Sequence, residues 1–162
     1  MVVMCPQNSF LDPKGSIYMG EKAEILKIRL IDYLSGYKGK KIFFREKHAE
    51  SDFFFSNDRT HSVANTYDYK ICDCFKGLAD LFFDKIRYSG FFETGFEVWL
   101  KQNHVQSVIL AGVETHTSIL YTSEELRNRR INVAVLEPLV ASRDDYMHSA
   151  AVSMMTNNLG VK

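Results

Sequence analysis

Two regions of this 162-residue chain carry side chains able to do chemistry. The first is the run Val108-Ile109-Leu110-Ala111-Gly112-Val113-Glu114-Thr115-His116-Thr117-Ser118. An apolar stretch ends at a glycine, and small polar residues then open a helical pattern. In a parallel α/β sheet this puts Ser118 at the carboxyl end of a strand and the start of a helix, where reacting groups gather. The plainer role for Ser118 is to satisfy a free N–H at the helix start. The second region is Glu46 and His48, which leave the end of the apolar strand Ile42-Phe43-Phe44. At i and i+2 both side chains project the same way from an extended backbone. His61, returning from the following loop, adds a third donor. A carboxylate with two imidazoles suits zinc or another first-row divalent ion with an open position. The alternative is a solvated Glu/His pair on a loop.

The elements that must position these groups alternate between strand and helix. Met1 to Met4 forms a short apolar strand that ends at Cys5-Pro6. Ala23, Leu26, Leu30 and Leu34 recur at helical spacing, with Gly36 as a stop. Leu81-Phe82-Phe83 gives a third strand after Ile42-Phe43-Phe44, and Thr94 with Glu97 reads as a capping box ahead of Phe96, Trp99 and Leu100. Gln106 to Ala111 is a fourth strand followed by a helix from Ser118 to Arg129, and Val133 to Leu136 a fifth. Tyr146, Ala150 and Met154 share one face of a last helix, with Gly160 as its C-terminal glycine. Repeated strand–helix units predict a single domain over residues 1–162, with a Rossmann-like, mostly parallel sheet between two helical layers. The stretch from His48 to Phe75 has no clean period and is too long for a simple connection. Its aromatics Phe53, Phe54, Phe55, Tyr67 and Tyr69 either line a ring-binding cavity or cover the sheet.

Composition narrows the classes. Twenty basic residues balance twenty acidic ones, which argues against nucleic acid or an anionic membrane as the main partner. No apolar run approaches a membrane span, and no signal-peptide pattern precedes the first strand. A chain of this length buries roughly 70% of its unfolded surface and needs no disulfide or metal to fold. Cys5, Cys72 and Cys74 are odd in number, and C-x-C is not the C-x-x-C redox or zinc spacing. A reducing cytoplasm is the simplest setting.

In order along the chain, the motifs resemble those of the isochorismatase-like cysteine hydrolases, a superfamily that includes the nicotinamidases. Cys5-Pro6-Gln7-Asn8-Ser9-Phe10 resembles the opening Asp-x-Gln-Asn-x-Phe, with Cys5 in place of the aspartate. Arg45-Glu46-Lys47-His48 is similar to the nicotinamidase metal motif, and His61-Ser62-Val63-Ala64-Asn65-Thr66 to the segment His-Cys-Val-x-Gly-Thr. Lys85 with Tyr88-Ser89-Gly90-Phe91-Phe92-Glu93-Thr94 fits the catalytic lysine and the Phe-x-x-Thr after it. Gly112-Val113-Glu114-Thr115-His116 and the run Leu136 to Ser142 complete the match.

The resemblance implies a catalytic set at Cys5, Lys85 and Ser118, where the family carries aspartate, lysine and cysteine. It also implies a cis peptide between Val113 and Glu114 in the oxyanion turn. The metal would be zinc or another divalent ion on Glu46, His48 and His61, with Asp52 near the place of a further histidine. A final strand absent from the end of the sheet, and assembly into a homo-oligomer, follow in the same way. A serine hydroxyl is harder to ionise than a thiol, and the family's carboxylate base is replaced. Three readings result. The first is a catalytically impaired member that binds a small amide or aromatic ligand, or a partner. The second is an amide hydrolase that uses Ser118 or Cys5 with Lys85, a neutral Lys85 serving as base in the serine version. The third is a structural subunit with a filled pocket.

Overall fold

The structure is a computed structural model that describes residues 1–56 and 59–162. Among these, strands β1 (Val2–Met4), β2 (Ile42–Glu46), β3 (Leu81–Lys85), β4 (Ser107–Val113) and β5 (Asn132–Ala141) pair in parallel. Their order across the sheet is β3-β2-β1-β4-β5. The helices are α1 (Asn8–Leu11), α2 (Glu21–Gly36), α3 (Phe96–Gln102), α4 (Leu120–Asn128) and α5 (Asp145–Asn157). Val2, Val3 and Met4 are all buried although neighbouring side chains on a strand point to opposite faces. The sheet is therefore covered on both sides, as the apolar strand sequences predict. No helix of the described residues is long and apolar enough to cross a membrane.

The helical spacing in α2 holds residue for residue, since Ala23, Leu26, Leu30 and Leu34 are all buried. On α5 the predicted stripe is off by one position. Tyr146 and Met154 are exposed, and Ala151 and Met155 face the core instead. The capping box is also absent. Gly95 caps α3 with φ 75°, and the Glu97 carboxylate reaches Lys101 (2.6 Å) and Arg129 (2.9 Å) rather than the helix end. β5 runs through Pro138 to Ala141, five residues past the predicted end at Leu136, because a register shift between Leu110 and Gly112 lets it rejoin β4. On its outer edge Lys162 exchanges backbone hydrogen bonds with Val133 and Val135.

β1 and β4 come very close. Gly112 has φ +102°, and a Cβ there would sit 2.1 Å from the Met4 carbonyl oxygen, so only glycine fits. The chain leaves β1 toward β2 on one side and returns as β4 on the other. This switch point opens a crevice at the carboxyl ends of the strands. Cys5, Glu46 and Lys85 stand at or just past the carboxyl ends of β1, β2 and β3, and Ser118 follows that of β4.

Candidate functional site

The parallel register builds the centre of the site. Arg45 lies opposite Asp84 and Glu46 opposite Lys85. Because side chains alternate, each pair shares a face. Arg45 meets Asp84 at 2.7 Å on one side of the sheet, and Lys85 meets Glu46 at 2.7 Å on the other. The Lys85 ammonium is buried and also donates to the Arg87 carbonyl at 3.1 Å. Burial works against its charge, but the Cys5 sulfur and the Glu46 carboxylate outweigh burial and raise its pKa. Burial would likewise raise Glu46, yet Lys85 with His48 and His61 holds that carboxylate well below its ordinary value.

Cys5 turns the chain out of β1 with φ 50°, and its N–H donates to the Phe44 carbonyl. Its Sγ lies 3.8 Å from the Ser118 Oγ, and both side chains are fully buried. The three residues implied by the motifs thus come together. Burial, reinforced by the Glu46 carboxylate and only partly offset by Lys85, pushes the Cys5 thiol up to about 12. Ser118 does not cap a helix. It sits in a π-helical turn, Thr115–Ile119, and its hydroxyl donates to Glu46 Oε1 at 3.4 Å. Glu46 is therefore the carboxylate partner of both Lys85 and Ser118, a role beyond the metal site that its motif suggests. The signal for it lies in the sequence ends of two five-residue strands, Arg-Glu and Asp-Lys, once the strands are laid side by side in parallel.

The other oxygen of Glu46 faces two histidines. Its Oε2 is 3.1 Å from His61 Nε2 and 3.8 Å from His48 Nε2, and the three ligand atoms all lie within 4.8 Å of one another. The loop returns to this point because His48 and Val63 form a parallel bridge, and Ser62 is tied to Ser9 at 2.7 Å. The far nitrogen of each imidazole is engaged: His48 Nδ1 with Asp52 Oδ2 at 3.2 Å, His61 Nδ1 with the Arg59 carbonyl at 2.7 Å. When a cation is bound, donation from Nδ1 would fix the tautomer that turns each Nε2 lone pair toward it. A cation between them satisfies all three groups. The 3.1 and 3.8 Å separations suit atoms sharing an ion through bonds of about 2.0–2.2 Å. Asp52 is not one of these three ligands. It orients His48 from behind and binds Arg87 at 3.2 Å.

The Val113–Glu114 peptide is cis. The Glu114 carboxylate turns aside to a two-point pairing with Arg143, both contacts at 3.0 Å. His116 Nδ1 meets Ser142 Oγ at 3.0 Å, and His148 Nδ1 meets Thr115 Oγ1 at 2.9 Å. His148 thus buttresses the turn, while His104 is exposed. The cavity over the site holds about 60 Å³ and is lined by Glu46, His48, His61, Phe54, Phe55 and Arg87, among others. Of the aromatic group, Phe54 and Phe55 line it, Phe53 and Tyr67 are exposed, and Tyr69 hydrogen-bonds Asp84.

Solved structures share this arrangement of elements. Nicotinamidase PncA from Bacillus subtilis superposes with a TM-score of 0.86 at 22% identity, over 99% of this chain and 97% of that one. PnC1 from L. infantum, in complex with nicotinate, gives 0.88 at 20% identity, over 99% and 88%. Pyrazinamidase of Pyrococcus horikoshii, in complex with zinc, gives 0.86 at 22% identity, over 99% and 95%. At such identities the likeness establishes the fold. The isochorismatase domain matches residues 6–161, and the chain belongs to that family.

Proposed function

We propose that this protein is an isochorismatase-family member that has lost cysteine-dependent hydrolysis and binds a small amide or aromatic ligand beside a divalent metal. The observation that carries this reading is the pairing of Cys5 with Ser118 at 3.8 Å, while the carboxylate within reach, Glu46, is bound to Lys85. Covalent attack needs a nucleophile beside a competent base. The Cys5 thiol is held protonated by burial. The Ser118 hydroxyl faces a carboxylate whose basicity Lys85 removes. Lys85 stays charged, so it is not the neutral amine that a serine–lysine mechanism uses. Glu46, His48 and His61 would hold the ion, and a bound divalent ion supplies a Lewis-acid contact for a carbonyl or ring nitrogen. The zinc and nicotinate bound by the structural neighbours support both parts of this reading.

Purified protein incubated with nicotinamide, with and without zinc, is expected to release no ammonia, while the double variant Cys5→Asp/Ser118→Cys gains release. Ammonia from the wild type, abolished in Lys85→Ala, overturns the reading. Calorimetry with nicotinate on zinc-loaded protein tests the binding half. The cavity size favours one second reading. About 60 Å³ is less than half of the roughly 150 Å³ that admits benzene in an engineered cavity, so a ring enters only if side chains such as Phe54 and Phe55 swing away. A protein that neither turns over nor binds is then a structural subunit. Homo-oligomer formation, which the family resemblance implies, is tested by sedimentation equilibrium; a monomer at every concentration refutes it.

A further inference from the structure

The segment Cys72-Asp73-Cys74 takes no part in this site, yet it brings two nucleophilic side chains together. Cys72 precedes a short 3₁₀ turn, Asp73–Phe75, and both thiols are free. Their sulfurs lie 3.5 Å apart, with the Cys74 S–H directed at the Cys72 sulfur. A disulfide bond is about 2.0 Å long, so closure asks for a shift on the order of 1.5 Å, within reach of side-chain rotation. Cys72 is buried and its N–H is fixed to the Pro6 carbonyl at 2.9 Å. Cys74 is exposed, and the movement falls to it.

We propose that Cys72 and Cys74 form a reversible dithiol–disulfide site that reacts with small disulfides of the oxidised-glutathione class. Cys74 meets the incoming disulfide in solvent. The Cys72 thiolate takes the Cys74 proton along the existing S–H···S contact, and the Cys74 thiolate so formed attacks one sulfur of the reagent. A mixed disulfide forms on Cys74, and one thiolate of the reagent leaves. Cys72 then gives that proton to solvent and attacks the Cys74 sulfur, which expels the second reagent thiolate. The two protein thiols are oxidised to one disulfide, and the reagent disulfide is reduced to two thiols. The 3.5 Å sulfur contact and one electrostatic feature support the sequence. The S–H of Cys74 and its backbone N–H, with the Lys27 ammonium, draw the Cys72 thiol down to about 7 despite burial. Cys5 is the internal control, fully buried and held as the thiol.

The test equilibrates the intact protein with reduced and oxidised glutathione over about −300 to −180 mV, traps free thiols with iodoacetamide and maps the peptides by mass. The expected result is a peptide containing Cys72 and Cys74 that loses two hydrogens and resists alkylation as the mixture becomes oxidising. It recovers as the mixture becomes reducing, while Cys5 stays reduced throughout. In Cys72→Ser a glutathione adduct accumulates on Cys74 as the major species, because the resolving sulfur is gone. Two results overturn the proposal: both thiols alkylated in the most oxidising mixture, or a stable glutathione adduct on Cys74 of the wild type. The wild-type map decides the matter even where a variant folds poorly.

Discussion

Glu46 carries more of this site than any other side chain. One oxygen receives Lys85 and Ser118, and the other faces His61 and His48. Removing its charge strands a buried ammonium, and breaking a buried pair in this way costs about 3–5 kcal/mol. Glu46→Gln is thus expected to lower the melting temperature of the metal-free protein markedly at neutral pH. The dependence on acidity has a definite sign. A carboxylate held below its ordinary value of 4.5 stabilises the fold above that pH, and the contribution fades as pH falls further. The gap between wild type and Glu46→Gln should begin to close below pH 4.5 and vanish only as pH falls through the lower value of the folded carboxylate, where the wild-type side chain also becomes neutral. A gap that widens in acid would place the stabilisation elsewhere. The grouping of Cys5, Lys85 and Ser118 was legible only through the family resemblance, and the structure places their side chains near one another. The double duty of Glu46 was not legible, because it depends on the alignment of β2 with β3, which no local pattern records.

Among the elements, the long stretch after β2 is the least regular and the most consequential. It contributes His48, His61, Phe54 and Phe55 to the cavity without forming a strand or an α-helix among its described residues; residues 57–58 fall outside them. Its shape rests on side-chain to backbone bonds, such as Asn8 to the Tyr67 carbonyl at 3.1 Å, and these carry no periodicity to read. Zinc is expected to raise the melting temperature of the wild type, and a chelator to reverse the rise. His48→Ala and His61→Ala should remove the response. Asp52→Ala, which frees the back of His48 and also releases Arg87, should weaken zinc binding about 10–100-fold. A zinc response that survives both histidine variants would rule out this centre. The opposite case is β4, whose apolar run was read directly, although the strand continues past the expected end at Ala111 through Gly112 to Val113. Gly112→Ala drives a methyl group into the Met4 carbonyl and is expected to yield little folded protein, as judged by far-ultraviolet circular dichroism. The helices fall between these extremes: α2 matched its pattern, whereas α5 turned through one position because Ala151 and Met155 fill the core.

Taken whole, the molecule balances its charge, with twenty basic against twenty acidic residues and a pI near 7.0. Solubility should pass through a minimum near that pH in low salt and recover on either side, which turbidity titration measures. The sheet order was readable as a class because strand and helix patterns alternate, while the full extent of β5 was hidden by Pro138, which locally argues against a strand. One small device has a wider consequence. The Gln7 carboxamide accepts from the Glu46 N–H at 2.7 Å and donates to the Glu46 and Tyr69 carbonyls at 2.9 Å each, doing for three-residue β1 what a further stretch of backbone would do. The frame around the crevice is thereby fastened from position 7, not from the side chain at position 5. The side chain at position 5 can therefore change while the architecture keeps its shape, so the frame is separable from whatever chemistry that side chain performs.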